Sequence, residues 1–393
     1  MIELTSDIKK FIAEHENEDI RELALKASRY PQINMQDAIQ QIAGRRIAKS
    51  KIPSWYAQNN IIYPPHISME QCSSEQTASY KASLSTGNTI IDLTGGFGVD
   101  LSFMAQNKTE AYYIETQPHL VELAQHNFKV LGLDHITAIN NNGINFLRSE
   151  DKLWDTIYID PARRNTSGRK TVLIEDCTPN LIEIDSLLNQ KSKQVIIKLS
   201  PMLDITHALN SISNITDIHI ISVNNECKEL LLVKNSTQKE VKLHCINIIN
   251  NGIQCFSFTK DNENNAAVTY SDQPEKYLYE PNSSILKAGA YKYPADYFNL
   301  KKLHINSHLY TSDLYIPDFP GRHFTVKNVF GANKKDIKQY LTMKQANIST
   351  RNYPLSVAEI RKQTKLKDGG NDYIFATTLV NEKKVLILCE KVE

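Results

Sequence analysis

Asp160-Pro161-Ala162-Arg163-Arg164 puts a carboxylate, a rigid turn residue and two guanidinium groups into five positions. A carboxylate in such a turn can hold or deprotonate an acceptor nitrogen or hydroxyl. Arg163 and Arg164 keep their protons at any working pH, so they suit a phosphate or carboxylate and cannot be bases. Arg169 and Lys170 extend the same basic loop. A second group lies upstream, in Ile90-Ile91-Asp92-Leu93-Thr94-Gly95-Gly96-Phe97-Gly98-Val99-Asp100. Gly95, Gly96 and Gly98 let backbone turn tightly and approach a ligand with no Cβ in the way. Asp92 can orient that turn and meet an ammonium through water, with Thr94 and Asp100 beside it. Glu115 follows 17 residues after Gly98. An acid at that place can accept hydrogen bonds from both hydroxyls of a ribose. Asn142 and Gly143 end the third strand, where an adenine edge would lie. Each acid also has a structural reading: capping for Asp92 and Glu115, a turn before Pro161 for Asp160.

These groups need a sheet to bring them together. From residue 75 to about 235 strand and helix patterns alternate. The predicted strands are TIIDLTGG, AYYIE (111–115), HITAIN, WDTIYIDP (154–161), QVIIKLSP (194–201) and ELLLV (229–233). Helical periodicity fills the gaps, as in PHLVELAQHNFKV, with Pro118 in a first turn that tolerates it. Alternation of this kind predicts parallel pairing in an α/β sheet. The acids then fall at its carboxyl edge, where such sheets bind ligands. Gln76 and Thr77, on a helix before the first strand, are candidates to touch the same ligand.

Outside the sheet, residues 1–70 read as a small helical domain, with a basic stripe at Arg45, Arg46, Lys49 and Lys51. VKLHCINIINNGIQCFSF reads as a hairpin around an Asn-Asn-Gly turn. A helix over 334–345 and strands at YIFATTLV and KVLILCEK end the chain. The composition is that of a globular protein, 41% apolar and 23% charged. No run approaches the roughly 18 apolar residues of a membrane span. MIELTSDIKKFIAEHENEDI lacks the basic start and apolar core of a signal peptide. The six cysteines are scattered with no CxxC pair, against a metal module and in keeping with a reducing cytoplasm. The net charge of +1 is uneven: residues 320–393 hold 14 Lys and Arg against 7 Asp and Glu. A basic end on an acidic body suggests a polyanion-facing module.

DLTGGFGVD followed by YIDPARR resembles the class I methyltransferases that use S-adenosylmethionine. More narrowly, EPNSSILKAGA, SHLYTS, FPGRHF and LKDGGNDYIFATT are similar to a bacterial family with a C-terminal THUMP-like domain. The resemblance covers nearly the whole chain. It implies an α/β, Rossmann-like methyltransferase sheet at 71–237, after a helical domain at 1–70. A small ferredoxin-like α+β unit at 238–318 and a basic THUMP-like α+β domain at 319–393 would follow. It implies S-adenosyl-L-methionine as cofactor, bound by Gln76, Thr77, Asp92, Thr94, Gly95, Gly96, Gly98, Asp100, Glu115, Asn142, Gly143 and Asp160. Asp160, Pro161, Arg163 and Arg164 would serve transfer. RNA, as rRNA or tRNA, is the implied partner.

The target atom divides the resemblance. DPARR is close to the DPPR of uridine-C5 methyltransferases, but those need a cysteine nucleophile after strand five. Here that place reads Lys198-Leu199-Ser200-Pro201, and Cys177 falls too early. Lys81, Asp160, Lys198 and Glu229 loosely resemble the Lys-Asp-Lys-Glu set of ribose 2′-O-methyltransferases. DLTGGFGVD is similar to the DATAGLGRD turn of guanine-N2 methyltransferases. Transfer to a base nitrogen therefore ranks first. Ribose methylation, a protein or small-molecule substrate, and a non-catalytic RNA-binding protein remain the alternatives.

Overall fold

The computed structural model of the chain describes residues 4–163, 173–235 and 240–392. Arg164, Arg169 and Lys170 lie outside them. Two compact units are present. The first comprises Met1–Asp217 and Leu230–Lys239; the second comprises Ile218–Glu229 and Glu240–Glu393.

The first unit is a sheet with helices before and between its strands. Helix α1 (Met35–Lys51) starts at Asn34, whose side chain accepts from the Asp37 amide. Helix α2 (Glu75–Leu84) is capped by Ser74. Strands β1 (Thr89–Asp92), β2 (Glu110–Glu115), β3 (Ile136–Asn140) and β4 (Trp154–Ile159) follow, separated by α3 (Val99–Met104), α4 (Pro118–Val130) and α5 (Gly143–Ser149). β5 (Ser192–Leu199) completes the parallel part, in the order β3-β2-β1-β4-β5. The buried faces of β1 and β2 pack on α3 and α4 through Ile90, Leu101, Tyr113, Ala124 and Phe128.

The parallel expectation fails at the next strand. β6 (Ile215–Val223) turns back through Asn224 and Asn225, both in the left-handed region, into β7 (Glu226–Asn235). Two Asn at positive φ are the mark of a tight hairpin. β7 therefore runs antiparallel to β5, with Ile196 opposite Val233 and Leu199 opposite Leu230.

The N-terminal helices also belong to this unit. Trp55, Tyr63, Met69 and Ala78 form one apolar cluster with Phe97, Val99 and Leu123. Phe97 sits inside the glycine turn itself and meets Trp55 edge-on at 4.9 Å. The basic stripe of α1 is largely spent on structure. Arg45 reaches Glu16 at 3.4 Å, Arg46 donates to the carbonyls of Glu16 and Glu18, and Lys51 donates to those of Met69 and Glu70.

In the second unit β8 (Lys242–Ile249) and β9 (Gly252–Thr259) form the predicted hairpin. β10 (Tyr277–Pro281), β11 (Gly321–Phe330), β12 (Asn347–Arg351), β13 (Asp372–Thr378) and β14 (Lys384–Lys391) form a mixed sheet in the order β10-β11-β14-β13-β12, which short strands extend to eight. Helices α6 (Lys334–Tyr340) and α7 (Val357–Thr364) accompany it. The helix expected over 334–345 stops at Tyr340, because Leu341 and Met343 turn into the apolar cluster around Phe330 and Ile360. Glu280 is buried between Arg322 and Arg351, each guanidinium reaching one of its oxygens at 2.7 Å.

Candidate methyl-donor site

The glycine turn is shaped by its own side chains. Asp92 ends β1, and its Oδ1 accepts from the Thr94 amide at 2.9 Å, an Asx turn that reverses the chain. Gly96 and Gly98 then take positive φ, +56° and +84°, and Gly98 opens α3. Gly95 is glycine for another reason: a Cβ there would lie 2.3 Å from the Tyr113 ring. A Cβ on Gly96 would meet only one backbone oxygen, at 3.7 Å, so this is the face a ligand can approach.

Glu115 reaches the turn from β2. Its Oε2 accepts from the Gly96 amide at 2.9 Å, and its Oε1 accepts from the Gln117 amide at 2.9 Å and the Thr116 hydroxyl at 3.0 Å. Tyr113, two residues earlier on the same face, donates to the Gly96 carbonyl at 2.5 Å. Asn142 and Gly143 do not end the third strand. β3 stops at Asn140, Asn142 caps α5 through the Ile144 and Asn145 amides, and Gly143 is the first residue of that helix. A Cβ on Gly143 would stand 2.2 Å from the Leu93 carbonyl oxygen, so α5 begins hard against the end of β1.

Asp160 follows β4 beside β1. Its amide donates to the Thr94 hydroxyl at 2.7 Å, which ties the acid-proline turn to the glycine turn. Lys198, near the end of β5, donates to Asp160 Oδ2 at 2.6 Å. Lys198 also lies 3.7 Å from Asp100 Oδ2, and Asp100 is 3.1 Å from the fully buried Lys81. Tyr158 and Ser73 donate to Asp100 at 2.7 and 2.8 Å. The result is a row of alternating charge, Lys81–Asp100–Lys198–Asp160, running from interior to edge. Burial opposes the Asp100 charge, but Lys81, Lys198 and the two hydroxyls outweigh it and hold the carboxyl down at about 2. Among the described residues, no cation pairs with Asp92. Burial, with the Asp100 and Asp160 charges behind it, pushes its carboxyl up to about 8 against the pull of Thr94.

That contrast has a measurable sign. A carboxyl raised from its ordinary value to about 8 carries more protons folded than unfolded between about pH 4 and pH 8. Stability is then lost as pH rises through that window. Asp92→Asn is expected to flatten the loss, gaining at least about 1 kcal/mol on the wild type between pH 5 and pH 8 in urea unfolding. Parallel pH curves would place the proton elsewhere.

Of the other expected residues, Thr77 is buried at the start of α2, where its hydroxyl and amide both turn back to Ser74, and Gln76 is exposed. Pro161 is buried. Arg163 lies in a two-residue ladder opposite Cys177, so the fold returns to the acid-proline turn a cysteine that stands well downstream in sequence. Glu229 belongs to the second unit. Sequence reasoning missed Tyr158 and Ser73 as partners of Asp100. For Tyr158 a signal existed: it lies two residues before Asp160 and so shares its face of β4.

Comparison with known proteins fits this geometry. A family model described as a ferredoxin-like domain matches residues 277–320, and a THUMP domain-like one matches 321–391. A crystal structure described as "putative methyltransferase from Porphyromonas gingivalis W83" is 32% identical, covers 98% of both chains and superposes with a TM-score of 0.87. This chain belongs to the same family. It is the S-adenosylmethionine-dependent class I methyltransferase family with ferredoxin-like and THUMP-like C-terminal domains. M. capricolum TrmK, solved with S-adenosyl-homocysteine, is 19% identical over 41% of this chain and 68% of its own, with a TM-score of 0.32. No curated protein matches. As a methyltransferase-family site, the arrangement fits its cofactor on its own chemistry. An open glycine leaves room for a ligand, an acid and an amide-rich turn flank it, and a second acid stands at the edge.

Proposed function

We propose that this chain transfers a methyl group from S-adenosylmethionine to a base nitrogen of structured RNA, rRNA or tRNA, directly and without a cysteine nucleophile. The observation that carries the reading is Asp160, held by the Thr94 hydroxyl on one side and Lys198 on the other, against the glycine turn. Bound S-adenosylmethionine supplies an electrophilic methyl group. Around it, Glu115 takes the ribose hydroxyls, Asn142 and Gly143 border the base, and the Gly96 backbone lies along the amino-acid end. Asp92 meets the ammonium through water, with Gly95, Gly98 and Thr94 keeping the turn in shape. Asp160 accepts a hydrogen bond from the acceptor amine and orients its lone pair; Pro161 sets the turn, and Arg163 and Arg164 take a phosphate.

Cysteine chemistry is disfavoured by what surrounds the thiols. Cys72 lies within the field of Asp100 and Lys198, yet burial pushes its thiol up to about 11, and it donates to the Met69 carbonyl. The residue after β5 is Ser200. For RNA, the support is the charge of the second unit. Arg322, Arg351, Lys327 and Arg361 are paired with acids, but Lys334, Lys335 and Lys338 on α6 and Lys362, Lys365 and Lys367 around the end of α7 are exposed. In this reading residues 1–70 form a helical support, 71–237 the transfer domain, 238–318 the ferredoxin-like unit and 319–393 the THUMP-like RNA module, in the cytoplasm. Ribose 2′-O-transfer is the second reading, favoured because Lys81 and Lys198 do converge on the Asp100–Asp160 side of the site.

Mass spectrometry of RNA nucleosides from a strain lacking the gene tests both. One methylated base is expected to disappear, to return with the wild-type gene or Cys177→Ala, and not to return with Asp160→Ala. Loss of a 2′-O-methyl nucleoside would select the second reading, failure of Cys177→Ala would restore cysteine chemistry, and an unchanged nucleoside profile would remove RNA as substrate.

A further inference from the structure

We propose that Lys198 is a specificity-determining residue that sets how strongly the site prefers the charged methyl donor over its uncharged product. The inference rests on the proposed function, in which Asp160 holds the acceptor amine against the donor's methyl group and so stands near its sulfur. S-adenosylmethionine carries a sulfonium cation, and S-adenosylhomocysteine carries a neutral thioether at the same place. Any charge near that sulfur therefore acts on one and not on the other.

A bare carboxylate there would bind the sulfonium and stabilise the ground state. Asp160 is not bare. The Lys198 ammonium stands 2.6 Å from its Oδ2, with a side chain only 13% exposed. Nor is Lys198 drawn away by its other neighbour. Asp100 is 3.7 Å off and already receives Lys81 at 3.1 Å and the hydroxyls of Tyr158 and Ser73. The position is fixed from behind as well: Lys198 is paired through its backbone opposite Leu231 in β5–β7, with Ile197 and Leu199 buried beside it. The ammonium is thus built in, and it offsets part of the attraction that Asp160 would exert. A site made this way keeps Asp160 as a hydrogen-bond acceptor for the incoming amine without trapping the donor's positive charge. That charge leaves the sulfur as the methyl leaves, so the restraint on it is released along the reaction.

The test is calorimetric titration of the full-length protein with S-adenosylmethionine and, separately, S-adenosylhomocysteine. The quantity read is the ratio of the product's Kd to the donor's. Lys198→Met is expected to raise that ratio about tenfold, by tightening the donor alone. Lys198→Arg keeps the charge and should hold the ratio within twofold of wild type. Asp160→Asn takes from the ammonium its nearest carboxylate, leaving Asp100 at 3.7 Å, and should lower the ratio several-fold. It serves as the second variant if Lys198→Met does not fold, since a loss of packing does not predict a change in that direction. Equal weakening of both ligands by Lys198→Met, with Lys198→Arg behaving the same way, would overturn the proposal in favour of a packing role. So would an unchanged ratio in Asp160→Asn. Absence of binding by the wild type of either ligand is a separate result, and it takes the cofactor reading down together with this one.

Discussion

Asp100→Ala is expected to destabilise the first unit by about 3–5 kcal/mol, the usual effect of removing one partner from a buried ion pair. The reason is what remains. Lys81 is wholly buried and loses the carboxylate at 3.1 Å, Lys198 loses the one at 3.7 Å, and the Tyr158 and Ser73 hydroxyls lose their acceptor. Equilibrium urea denaturation followed by tryptophan fluorescence measures it, since Trp55 and Trp154 are both buried in this unit. A second variant isolates the cause. Lys81→Met combined with Asp100→Asn removes the stranded ammonium and should be less harmful than Asp100→Asn alone. If the double variant is the worse of the two, the lysine is not the source of the loss.

Glu115→Ala acts on affinity rather than on stability. Its carboxylate receives the Gly96 and Gln117 amides and the Thr116 hydroxyl, so it shapes the turn from one side; under the proposed function its remaining lone pairs would take a ribose. Hydrogen bonds to a charged group contribute roughly 1.5–3 kcal/mol each. Loss of the ribose contacts together with the turn should weaken S-adenosylhomocysteine binding about a hundredfold. Glu115→Gln, which keeps one acceptor oxygen, should fall between. Binding by Glu115→Ala within threefold of wild type would leave Glu115 as a turn residue only.

Much of this site could be read from sequence because its parts are local. Asp92, Thr94 and the glycines are neighbours in the chain, and Glu115 and Asp160 each stand at the end of an apolar run. The row Lys81–Asp100–Lys198–Asp160 is different. Its members lie on α2, α3, β5 and the turn after β4, and nothing in their spacing shows that they meet. Only a loose resemblance sets Lys81, Lys198 and Asp160 side by side, and it joins them to Glu229 and not to Asp100. Asp100, an expected cofactor residue, also holds the row together: Lys81, Tyr158, Ser73 and Lys198 meet at its carboxylate. β6 escaped notice for a related reason. Asp217 and His219 interrupt its apolar pattern, and His219 is buried by stacking on His244 at 4.4 Å, a partner known only after folding. Strand–helix alternation points to a parallel β7, but Asn224-Asn225, both at positive φ, closes a hairpin that reverses the chain.

The first unit is made of two separate pieces of chain, with Ile218–Glu229 spent elsewhere before Leu230–Lys239 returns to it. Its sheet therefore cannot be finished in the order in which it is synthesised. When residue 217 has been made, β5 still shows an open edge from Gln194 to Leu199, rich in Val, Ile and Leu, and its cover arrives only with the return strand. An exposed apolar edge of that kind is a template for pairing between nascent chains. On the ribosome the cofactor-binding half must wait for part of its neighbour to emerge. A fragment meant to stand alone has to run through Asn235, well past the last residue that touches the site.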